Sequence, residues 1–121
     1  MTLITLDFET YYDVQYQLSK LTTMEYIRSD KFKIWGVGIK IDNNDTEWYS
    51  HDEVEDCLAA INWQEADLVC HNALFDAAIL AERFNIFPNY YYDTACMARG
   101  LSPNTSAKLA EVAKRLFDDE S

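Results

Sequence analysis

Thr2-Leu3-Ile4-Thr5-Leu6-Asp7-Phe8-Glu9-Thr10 is the stretch whose reading decides the fold. β-Branched and apolar residues run as far as Leu6, and carboxylates then occupy alternate positions. That is the pattern of a buried strand reaching an open end. Side chains alternate across a strand, so Asp7 and Glu9 point to one side of the sheet, roughly 7 Å apart along the chain. Following an apolar run, they are expected at the mouth of the core and not on a solvated face. Taken alone, the pair is equally a strand end running into water.

Working outward, Lys31–Ile41 reads as a second strand, Asn43-Asn44-Asp45 as a turn and Thr46–Ser50 as a third strand, together an antiparallel meander. Between the first two strands, helical character is confined to Leu18–Ile27. Asp52 is placed to cap a helix running through about Asn62, with Val54, Leu58 and Ile61 on one face. Asp67–His71 is a short apolar strand suited to a sheet centre. A helix is expected over Ala73–Phe84, an extended piece over Tyr90–Asp93, a helix over Thr94–Gly100 ended by Gly100 and Pro103, and a last helix over Ser106–Phe117. A meander followed by alternating helix and strand predicts an α/β domain: a mixed β-sheet of antiparallel meander plus parallel strands, flanked by helices, in the ribonuclease H-like arrangement.

A chain of 121 residues is one domain or a piece of one, and here it is read as a single domain over 1–121. Its 10 basic and 21 acidic side chains leave a net charge of −11, the wrong sign for holding nucleic acid by phosphate contacts alone. Either the protein is simply acidic and soluble, or some carboxylates bind cations. No apolar run approaches the roughly 20 residues that span a bilayer, so no membrane partner is expected. The start lacks the features of a signal peptide, and Cys57, Cys70 and Cys96 form no Cys-x-x-Cys pair. A reducing cytoplasm, of a bacterium or a phage-infected host, is the expected location. His51 and His71 are the sole histidines, which points away from a structural zinc site.

Two further acids stand out. Asp76 lies in the apolar helix His71-Asn72-Ala73-Leu74-Phe75-Asp76-Ala77-Ala78-Ile79-Leu80, where an unpaired carboxylate is costly. It needs a partner: Arg83 two turns on, a hydrogen-bond donor, or a metal. Asp93 precedes Thr94 and reads as an N-cap. Tyr90, Tyr91 and Tyr92 either pack a short strand or stack on bases. Should Asp7, Glu9 and Asp76 meet at one edge of the sheet, their mutual repulsion would be resolved by two divalent cations, Mg2+ or Mn2+, the hard ions with which nucleases activate water.

These residues resemble a known family. Leu6-Asp7-Phe8-Glu9-Thr10 is similar to the first motif of the DEDD (DnaQ-like) 3′→5′ exonucleases, and His71-Asn72-Ala73-Leu74-Phe75-Asp76 to the second. Asp93-Thr94 resembles the Asp-Thr pair that commonly follows, and Lys108-Leu109 with Ala113-Lys114-Arg115-Leu116 resembles the helix before the third motif. The stretch including Leu18, Leu21, Tyr26 and Phe32 to Gly38 is most similar to the amino-terminal exonuclease domain of phage-type family A DNA polymerases. The resemblance implies that Asp7 bridges both metals, Glu9 binds the metal that activates water and orients that water, and Asp76 holds the second metal site. It makes Asn72 and Phe75 candidates for contacting the terminal nucleotide, though either can simply pack. The implied reaction is hydrolysis of nucleotides from a single-stranded or frayed DNA 3′ end, as in proofreading, with a polymerase domain as the implied partner.

One departure accompanies the resemblance. The family's third motif is His or Tyr followed four residues later by Asp, and after Phe117 come only Asp118, Asp119, Glu120 and Ser121. Tyr26 and Asp30 have that spacing but precede the second motif. The expectation is a domain incomplete at its C-terminal side, short of its fourth carboxylate, with weak metal binding and little activity on its own. A catalytically incomplete remnant that binds nucleic acid or serves as a scaffold is the alternative.

Overall fold

The structure, a computed structural model, describes residues 1–95 and 97. Cys96, the expected helix over 106–117, and Asp118 and Asp119 lie outside the described residues. The alternation of the opening stretch becomes strand β1, Thr2–Thr10, with Ile4, Leu6 and Phe8 buried and Thr5, Asp7 and Glu9 exposed. Strands β2 (Ile34–Ile41) and β3 (Glu47–Ser50) complete an antiparallel meander on one side of β1. Strands β4 (Ala66–Cys70) and β5 (Tyr90–Asp93) add in parallel on the other side. The spatial order is β3-β2-β1-β4-β5, the mixed sheet expected from the alternation of elements.

Three helices cover one face: α1 (Thr23–Arg28), α2 (Val54–Ala59) and α3 (Ala73–Phe84). Tyr26 and Ile27, Val54 and Leu58, and Ile79 and Leu80 join Ile4, Leu6, Phe8 and Leu68 in one core. Each large aliphatic side chain buried there contributes about 1.5–3 kcal/mol. Phe8 adds a parallel ring stack on Phe84 at 6.4 Å. By strand alternation the opposite face carries Leu3, Asp7, Glu9, Trp48, Tyr90 and Tyr92, all exposed.

Two helices differ in their bounds from the sequence reading, and each difference has a local cause. Helix α1 begins later than Leu18, at a capping box: Glu25 N–H donates to Thr22 Oγ1 at 3.2 Å and Thr22 N–H to Glu25 Oε1 at 2.8 Å. The residues before it form an aromatic loop in which Tyr16 stacks on Tyr26 at 4.4 Å, while Asp13 accepts from Gln15 and Tyr16 N–H. Helix α2 is shorter than expected, and its entry turn starts after Ser50 and not at Asp52. Ser50 N–H and Oγ–H both donate to Glu53, and a 3-10 turn over His51–Glu53 leads into the helix. Among the described residues, no helix is long and apolar enough to cross a membrane.

Candidate functional site

β4 pairs with Thr2 to Thr5 of β1, so Leu6 to Thr10 run on past the end of β4. That overhang is met by α3. Asp76, 3% exposed, reaches the strand edge, and its Oδ1 accepts from Phe8 N–H at 3.2 Å. The buried carboxylate thus takes the hydrogen-bond place that a longer β4 would have filled, between the two residues whose side chains are Asp7 and Glu9.

Arg83 is not its partner. The guanidinium donates to Ile27 O at 3.0 and 2.5 Å and to Ser29 O at 3.2 Å, and it lies 4.7 Å from the centre of the Phe32 ring. Helical spacing brought Arg83 to the right side of α3, but the free carbonyls at the end of α1 take it.

The acids therefore feel one another. Burial above all lifts the Asp76 carboxyl to about 7; the Phe8 N–H pulls it down, and Asp7, Glu9 and Asp93 push it up again. Glu9 is also raised, first by burial, then by the charge of Asp7 and a hydrogen bond between the two carboxyls. Asp7 and Glu9 are thus adjacent on the exposed face, as alternation predicted. They lie on the sheet surface and not at a covered mouth of the core, because the helices built from residues 23–84 all pack on the other side. Asp76 is turned toward the β1 backbone, and among the described residues no group of three or more His, Cys, Asp or Glu stands close enough to hold an ion jointly.

The turn that launches α3 is built by Asp93. Asn72 adopts a left-handed conformation (φ 67°, ψ 65°) that asparagine tolerates better than most residues, and its side chain makes no cap bond. Asp93, on the neighbouring strand, accepts instead from Asn72 N–H at 2.9 Å and Ala73 N–H at 3.0 Å, and from Ala95 N–H at 2.9 Å. The N-cap expected for the backbone after Thr94 is therefore also the cap of α3, a shared role that local sequence does not signal. Asn72 is exposed at this turn, while Phe75 is half-buried with its ring 5.9 Å from that of Tyr26.

Tyr26 is the residue that sequence reasoning undervalued. Buried at 2% exposure, its hydroxyl sits 2.9 Å from Thr10 Oγ1 and donates to Tyr11 O, fixing the end of β1 just beyond Glu9. Its signal was visible in the clustering of Tyr11, Tyr16 and Tyr26, which has neither strand nor helix period. Cys70, buried beside these acids, has its thiol pushed up by burial, then by Asp76, and stays neutral.

No family model matches the chain, and no curated protein matches it in sequence. Solved structures do match. Brucella melitensis NrnC is similar in three forms, NrnC bound to pGG, NrnC, and NrnC with bound Mg2+, at TM-scores of 0.66, 0.67 and 0.66. Each is 17% identical and covers 98% of this chain, which spans only 54%, 54% and 55% of theirs. At that identity the likeness shows the fold alone, a ribonuclease H-like mixed sheet flanked by helices.

Proposed function

We propose that this chain is a metal-dependent exonuclease domain of the DEDD type, acting on the 3′ end of a single-stranded nucleic acid. The observation that carries the reading is the Asp7–Glu9 carboxylate pair at the β1 overhang, with Asp76 buried at the adjoining strand edge and, among the described residues, no cation paired to it. Like charges so placed hold their protons too tightly, and a divalent cation relieves that conflict. Asp7 and Glu9 are the proposed direct ligands of Mg2+ or Mn2+, and Asp76 holds a second position through water. Divalent ions supply a water nucleophile at neutral pH and neutralise charge on the leaving oxygen. They also reverse the local sign of a chain with net charge −11, which lets a polyanion approach.

The protein's own part is placement. The Phe8 N–H fixes Asp76, and the Tyr26 hydroxyl at Thr10 stiffens the strand end that presents Glu9. Glu9, beside the proposed ion, is placed to orient the attacking water. Asn72 and Phe75 stand at the start of α3 and border the proposed position of the terminal nucleotide. The NrnC structures with pGG and with Mg2+ support an oligonucleotide and a divalent ion as ligands.

A DNA 3′ end and a polymerase partner remain the narrower form of this proposal, resting on the resemblance of Leu21, Tyr26 and Phe32 to Gly38. In the fold Tyr26 is core, and Leu21 and Phe32 pack against it, so that stretch reports architecture more than substrate. Polarisation of a 5′-labelled single-stranded decamer, in deoxy and ribo form, tests both levels. Binding is expected to tighten in Mn2+ relative to EDTA, and Asp7→Ala should erase the difference. Binding that ignores metal would defeat the nuclease reading, and equal affinity for both sugars would remove the DNA refinement.

A further inference from the structure

Register places one more large side chain on the face of Asp7 and Glu9. Asp7 pairs with Gly38 of β2, and Gly38 pairs with Trp48 of β3, so these three form one row across the sheet. Glu9 pairs with Gly36 in the next row. Trp48 is 55% exposed, yet its ring does not stand free. A Cβ built on Gly36 would lie 2.2 Å from Trp48 Cζ2 and 2.7 Å from Cη2, so the indole lies down on the bare backbone of Gly36. Gly38 has only ordinary contacts near its own missing Cβ, the nearest at 4.0 Å. The result is a shallow surface with the bare backbone of Gly38 between Asp7 on one side and, on the other, the indole that covers Gly36. At two strand spacings its width is about 10 Å, the span of a single nucleotide.

We propose that Trp48 is the stacking platform for a base of the substrate, an assignment that rests on the nuclease reading above. Every base has a π-face, so such a platform is tolerant of sequence, as removal of terminal nucleotides requires. The other exposed tryptophan is differently placed. Trp35 is the extra residue of a bulge, skipped where Glu9 pairs with Gly36 and Thr10 with Ile34, and it is held by Tyr11 at its edge (6.3 Å) and Lys33 over its ring (4.5 Å). Trp63 is buried and donates to Leu58 O at 2.9 Å.

The bland role for Trp48 is to shield Gly36, and a binding experiment separates the two. The 121-residue chain is titrated in Mn2+ against 5′-fluorescein-labelled hexathymidylate. Trp48→Leu is expected to weaken binding roughly 5- to 150-fold, and Trp48→Phe to restore most of it. In a Trp35→Phe background, saturating unlabelled oligonucleotide should quench the remaining exposed tryptophan emission. Unchanged affinity in Trp48→Leu, beside an Mn2+-dependent affinity that Asp7→Ala abolishes, overturns the platform and leaves the nuclease reading intact. Absence of Mn2+-dependent binding by the unaltered chain overturns both. If Trp48→Leu lowers the melting midpoint, Trp48→Phe at unaltered midpoint decides: failure to bind tightly there also counts against the assignment.

Discussion

The two faces of β1 are one residue out of phase and do opposite work. Ile4, Leu6 and Phe8 point into a core closed by three helices, while Thr5, Asp7 and Glu9 point to an exposed surface with glycines and Trp48 beside them. The backbone is common to both faces, so the strand that is held most firmly also positions the chemistry most firmly. Asp76 is the exception that joins them: it comes from the helical side and ends at the strand edge.

Substitutions that act on one face alone measure how separate the two are. Leu6→Ala should destabilise by about 2–5 kcal/mol in urea unfolding, because it removes packing atoms at 2% exposure. A loss near zero would mean that the core face is not closed as described.

The joining residue responds to pH. With its folded carboxyl raised to about 7, Asp76 makes the native state bind a proton more tightly than the unfolded chain. Its contribution to stability is therefore best at low pH, falls as pH rises from about 4 through 7, and is fully lost above that window. The loss is at most about 4 kcal/mol for a shift of this size. Asp13 (lowered to about 2), Glu25, Glu53 and Glu82 have the opposite sign, and their contribution fades as pH falls below the usual carboxylate range. In EDTA the melting midpoint should peak near pH 4–5, and Asp76→Asn should flatten the decline toward pH 8. A wild-type midpoint that rises from pH 5 to 8 would contradict the burial of an unpaired acid.

On the open face, Gly36→Ala should cost about 1–3 kcal/mol. The new methyl would meet Trp48 and, at 2.6 Å, the Tyr49 carbonyl oxygen, and the latter is backbone that must shift. Gly38→Ala, with its nearest contacts at 4.0 Å, is the matched control and should cost clearly less.

Much of this was legible because it is periodic. Alternation in residues 2–10 placed Asp7 and Glu9 together, apolar spacing delimited α3 at Ala73–Phe84, and Tyr90–Asp93 formed the short strand read there. The capping boxes Thr22–Glu25 and Ser50–Glu53 were also written in the chain, the second beside Asp52, a residue type that equally favours a cap. What was not legible depends on elements distant in sequence. Arg83 finds the carbonyl of Ile27 across two helices, Asp93 caps a helix 20 residues earlier, and Tyr11, Tyr16 and Tyr26 stack without any local period. Whether the face of Asp7 would be covered was beyond a strand pattern, which fixes the side of a residue but not what lies above it.

The smallest effect bears most directly on the central claim. Asp7→Ala in EDTA should leave stability within about 0.5 kcal/mol, since the side chain is exposed and repels Glu9. In millimolar Mn2+ the unaltered chain should melt higher by roughly 3–6 °C, as expected for an ion present at about ten times its dissociation constant, and Asp7→Ala should show no such rise. A melting midpoint that ignores Mn2+ in the unaltered chain, or an equal rise in Asp7→Ala, would contradict a cation held by Asp7 and Glu9.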